Sequence, residues 1–205
     1  MLERIMLDIE EYFHLAVDAS KKSEHHEALK YLHLVLEQDS DHSAAIYLMA
    51  AEHAELGMLD RAAAGMARAL LLDPSLEMAR FQLAMLHMQL GQQAESIKEL
   101  EKLKEVVKLP NLKLYTSAML NVFSDNVKVA VGEIRAGLEL PTDNPALNDS
   151  MRQVILMLEQ GPSDGIGSGA VQPSAAAISA PKAGEDTSGS VFLGEYKTSQ
   201  IKIDS

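Results

Sequence analysis

The chain has 205 residues with no Cys, 18 Lys+Arg against 30 Asp+Glu, and a formal net charge of −12. A 47% hydrophobic content rules out wholesale disorder. The charge argues against nucleic acid and anionic membranes, and the lack of Cys excludes disulfides, a thiolate nucleophile and zinc-thiolate sites. The first eleven residues mix charged and apolar side chains, so no signal peptide is expected. No apolar run reaches the ~18–20 residues of a membrane span, and a soluble, cytoplasmic protein is expected. The acidity lies mainly in residues 1–60, which carry 13 acidic and 4 basic side chains.

The chain then repeats itself every 34 residues. Leu56 and Gly57 recur as Leu90 and Gly91. Ala16, Ala50, Ala84 and Ala118 form one column; Ala28, Ala62, Ser96 and Ala130 form a second. Leu32, Met66, Leu100 and Ile134 form a third that is large and apolar. Leu15, Met49 and Leu83 begin a fourth, which ends in Ser117. These columns predict four helix-turn-helix units over 9–42, 43–76, 77–110 and 111–144. Small side chains are needed where helix axes approach to ~8–10 Å. Gly57 and Gly91 suit the left-handed end of a first helix. Pro74 and Pro141 stop second helices. Asp143 or Asn144 caps a final helix over 145–160. Its residues Leu147, Met151, Ile155, Leu156 and Leu158 are expected to seal the stack.

The remainder reads differently. Residues 161–190 are rich in Gly, Ser, Ala and Pro, a flexible-linker composition. Residues 191–205 follow as a tethered peptide with an apolar motif: Phe192, Leu193, Tyr196, Ile201 and Ile203.

The period and its residues resemble the tetratricopeptide repeat (TPR) family over roughly residues 9–144. The match is densest from Ser43 to Pro74, with Met49, Ala50, Leu56, Gly57, Ala62, Ala69, Asp73 and Pro74 at family positions. The sequence departs from the pattern at Ser23, Ser96, Lys108, Ser117, Asp125 and Gly137. The resemblance implies an all-α superhelical solenoid whose first helices line a concave surface. It places Phe13, Tyr47, Phe81 and Tyr115 in one column of that surface, with Leu48, Met85, Met88, Met119 and Phe123 beside them. The expectation is an apolar groove that takes a peptide segment of a partner protein. Met side chains adapt to varied apolar partners, which favours that use. A clamp for a carboxylate tail, known in the family, is not expected, because Phe13, Val17, Leu48, Met78 and Gln82 stand where its charged and amide groups belong.

Catalytic chemistry is not expected. The seven His residues (His14, His25, His26, His33, His42, His53 and His87) show no metal-ligand spacing. No P-loop or nucleophile elbow occurs, and no cofactor is expected. The functional expectation is a non-catalytic adaptor or chaperone. The alternative is a self-assembling or autoinhibited regulatory subunit whose tail fills its own or a neighbour's groove.

Overall fold

A computed structural model describes residues 7–160 apart from Asp143. The expected linker and tail motif lie outside the described residues. Among the described residues there are nine α-helices and no strand. They are α1 (Ile9–Lys21), α2 (His25–Gln38), α3 (Ser43–Glu55), α4 (Leu59–Leu72), α5 (Glu77–Gln89), α6 (Gln93–Val106), α7 (Pro110–Phe123), α8 (Val127–Leu138) and α9 (Pro145–Gln160). No described helix is long and apolar enough to cross a membrane. The even-numbered helices α2 to α8 start at 34-residue intervals. The odd ones start at Ile9, Ser43 and Glu77, but α7 starts at Pro110, one residue ahead of the frame. Pro110 occupies the first turn of α7, where its missing N–H costs nothing.

Helix starts follow local chemistry. Asp8 and Glu11 form a reciprocal capping box on α1, with bonds of 2.8 and 2.9 Å. His42 Nδ1 accepts from the Ala45 N–H at 3.2 Å on α3. Of the two candidate caps for α9, Asn144 is the one observed: its Oδ1 accepts from the Leu147 N–H at 3.0 Å.

The first helices end alike. Ser23, Gly57, Gly91 and Asp125 have φ of 58°, 73°, 73° and 60°. In each case the following N–H reaches back five residues, as Met58 N–H does to His53 O at 2.8 Å and Asn126 N–H to Asn121 O at 2.8 Å. The chain keeps the left-handed turn even where it lacks Gly.

The small-residue columns are fully packed. Ala16, Ala50, Ala84 and Ala118 are buried, as are Ala28, Ala62, Ser96 and Ala130. The large apolar column Leu32, Met66, Leu100 and Ile134 is buried too. Helices α3 and α4 cross closely, and a Cβ on Gly65 would lie 2.7 Å from the Ala50 Cβ. Leu15 departs from its column: it is exposed, whereas Leu83 is buried.

The core is a chain of three clusters. One joins α1, α2 and α3; one runs through α3, α4 and α5; the third spans α5 to α9. In α9 one expected seal residue is corrected. Leu156 is 52% exposed, and Val154 is buried in its stead beside Leu147, Met151 and Ile155. At 100° per residue, position 154 shares the face of 147, 151 and 155, and position 156 does not.

Candidate interaction site

The aromatic column lies along the first helices. Phe13 is partly exposed and sits 5.1 Å, centroid to centroid, from the His42 ring. Tyr47, Phe81 and Tyr115 are buried. Leu48, Met85, Met88 and Met119 are buried as well, and Phe123 is partly exposed. Seven of the nine side chains expected to face a ligand are thus buried in this structure, and Phe13 and Phe123 are the two that stay partly accessible. Their burial follows from hydrocarbon content: such a row left in water forfeits ~1.5–3 kcal/mol per side chain.

The tyrosines also tie successive units together. Tyr47 Oη donates to Gln82 Oε1 at 2.8 Å, linking α3 to α5. Tyr115 Oη donates to Asn148 Oδ1 at 2.6 Å, linking α7 to α9. Burial pushes the Tyr115 phenol up to about 12, against a small opposing pull from Arg152. Gln82 stood on the expected binding face; Asn148 was not expected in any role.

Charged groups join other helices of the stack. The buried Glu52 carboxylate accepts from Ser20 Oγ on α1 and lies 2.7 Å from His25 Nδ1 on α2. Burial, helped by Arg61 and His33, holds the neighbouring His53 imidazole below its ordinary value despite Glu52. On α6, Glu99 accepts from Arg80 at 2.8 Å and from Lys102 at 2.6 Å. Burial alone would push the Glu99 carboxyl up; hydrogen bonds and charge from Lys102 and Arg80 overcome it and hold the group below its ordinary value. The Glu77 carboxylate accepts the Lys108 N–H at 3.0 Å and the Leu109 N–H at 3.3 Å, fixing the turn before α7.

One of the partly exposed members, Phe123, lines a cleft of about 690 Å³ between α6 and α7. Ile97, Leu120 and Phe123 supply its apolar surface; Glu101, Lys102, Lys104 and Glu105 supply charge. The repeat explains why it is open. The positions equivalent to Lys104 are Leu36, Leu70 and Leu138. Leu70 is buried in the α3–α5 cluster together with Leu86, the equivalent of Leu120. At Lys104 that filler is replaced by an exposed ammonium. The inversion is matched across the cleft. The positions equivalent to Phe123 are Lys21, Glu55 and Gln89, so an aromatic stands where the other units carry polar groups. Lys104 was not among the expected site residues, although the broken leucine column was a signal in the sequence.

No family model and no curated protein matches this sequence. Solved structures do. MamA is similar with a TM-score of 0.55 and 16% identity, over 64% of this chain and 77% of that one. A MamA structure running from residue 41 to the end, from Desulfovibrio magneticus RS-1, gives 0.56 and 16%, over 74% and 84%. YrrB, described as a TPR protein with an unusual peptide-binding site, gives 0.54 and 18%, over 76% and 80%. At these identities the likeness establishes the fold: an all-α, TPR-like solenoid closed at its C-terminal side by the capping helix α9.

Proposed function

We propose that the chain is a non-catalytic protein-interaction module, an adaptor or chaperone, that takes an apolar peptide segment of a partner. The fold supports an interaction role, since a peptide-binding site is described for the similar YrrB. The observation that carries the reading is the α6–α7 cleft, where the repeat exchanges Leu for Lys104 and a polar residue for Phe123. Phe123, with Leu120 and Ile97, is the anchor surface. Tyr47, Leu48, Phe81, Met85, Met88, Tyr115 and Met119 serve this reading as the packed support behind it, and Phe13 as a second accessible point. Burying two or three apolar anchors at ~1.5–3 kcal/mol each reaches micromolar affinity once ordering costs are met.

The test restores the repeat. Phe123→Gln places the Gln89 residue type at the fourth position, and Lys104→Leu supplies the missing filler. Lys104→Leu should fold at least as well as wild type by circular dichroism and thermal melting; Phe123→Gln should keep the fold with a modest loss of stability, because the partly buried ring packs on the α5–α9 cluster. Full-length wild type should capture a protein from native lysate that the double variant loses. Equal capture by the two would overturn the reading.

A further inference from the structure

Resting on that reading, and deepening it, we propose that the α6–α7 cleft is occupied in cis by the chain's own segment 191–197. The cleft presents apolar Ile97, Leu120 and Phe123 beside two ammonium groups, Lys102 and Lys104, and two carboxylates, Glu101 and Glu105, a surface complementary to an apolar pair followed by charges of both signs. Residues 191–197 read Val-Phe-Leu-Gly-Glu-Tyr-Lys, with Phe192 and Leu193 adjacent and Glu195 and Lys197 just beyond.

Reach is sufficient. Thirty residues, 161–190, separate the end of α9 from the segment. At ~5–6 Å times the square root of length, such a tether spans ~30 Å. Helix α9 packs on α8 and α8 on α7, which forms one wall of the cleft. Helix α9 also bonds α7 directly through Tyr115 and Asn148, so at most two helix spacings of ~8–10 Å each separate the anchor point from the site. A tethered peptide acts at an effective concentration on the order of millimolar, so a cis contact with an intrinsic Kd of about 0.1 mM fills the cleft about nine-tenths of the time and weakens an outside peptide about tenfold, a handicap that a tight partner overcomes.

The test uses the full chain and a synthetic peptide of residues 191–205 as probe. Phe192→Ala with Leu193→Ala empties the cleft of its cis occupant. The probe should bind this variant about tenfold more tightly than wild type, and adding Phe123→Gln should abolish that binding. Equal affinity for wild type and variant, or binding indifferent to Phe123→Gln, would overturn the proposal. Because the chain has no Cys, Thr198→Cys carries a unique nitroxide label. Broadening of the Ile97 and Leu120 methyl signals within the labelled chain supports cis occupancy. Broadening confined to unlabelled chains mixed with labelled ones points to a second copy and overturns it. Failure of the two readings is separable. Capture from lysate that depends on Phe123 without probe binding leaves the interaction reading standing and removes the cis segment. Tighter probe binding to the Phe192→Ala, Leu193→Ala variant that depends on Phe123, without Phe123-dependent capture, does the reverse.

Discussion

The Tyr115 ring lies directly over the α8 backbone at Gly137, so close that a Cβ there would come within 3.0 Å of Cδ1 and 3.1 Å of Cζ. Its hydroxyl continues past α8 to Asn148 on α9. One side chain therefore locks three helices, and the Gly that departs from the repeat pattern is what makes room for it. Gly137→Ala should cost about 1–3 kcal/mol by overpacking. Tyr115→Phe should cost about 1–3 kcal/mol by leaving the buried Asn148 oxygen unpaired. Urea titration checks both, and an unchanged midpoint in either variant would contradict this packing.

The four left-handed turns make opposite predictions for the same residue type. Asp125→Gly and Ser23→Gly should each stabilise by about 1 kcal/mol, because a Cβ is strained at those φ values. Gly57→Ala should destabilise by a similar amount, although nothing lies within 4 Å of its added Cβ. Thermal melts of the three variants give the comparison. A loss of stability in Asp125→Gly would show that the Asp side chain earns its place by another route.

Ser96 occupies a column that is Ala in the other units, and its buried Oγ has no hydrogen-bond partner. Ser96→Ala should therefore be neutral or stabilising by about 1 kcal/mol, with no cavity formed. A marked destabilisation would mean that the hydroxyl is satisfied in solution.

Acid should weaken the fold in two steps of the same sign. His53 has a lowered folded value, so the unfolded chain takes up its proton first as pH falls below 6.5. Glu99 is also lowered; the stability it contributes is complete above its unfolded value near 4.5 and is lost as pH falls through its folded value. Tyr115 acts at the other extreme, favouring the folded state until pH rises from 10 toward about 12. Unfolding free energy measured across pH checks all three. His53→Gln should remove the slope just below pH 6.5, and Glu99→Gln should remove part of the slope below 4.5.

Most of the architecture was legible because a 34-residue period is a statement about every unit at once. The columns of Ala16, Ala28 and Leu32 each predict four buried positions, and all twelve are buried. Legibility failed where a residue's neighbours lie on another helix. Periodicity places Tyr47 and Phe81 on one face of their own helices, but it does not state what else covers that face. Asn148 illustrates the same gap: an amide in the first turn of an amphipathic α9 reads as solvent-facing until Tyr115 is seen beneath it. Leu156 shows the limit of listing apolar residues without turning the helix through 100°. The cleft was legible in principle, since Lys104 interrupts Leu36, Leu70 and Leu138, but only to a reader seeking exceptions to the repeat rather than matches to it.

The neighbour-to-neighbour packing of the helices also governs how the chain comes apart. Nearly all substantial helix contacts join elements adjacent in sequence, with a small α1–α3 contact besides. Assembly then requires no distant segments to meet, which places the domain among fast-folding, low-contact-order topologies. Opening is expected to begin at an end and spread inward like an unzipping, so amide-exchange protection should form a gradient that peaks near α5 and falls toward α1.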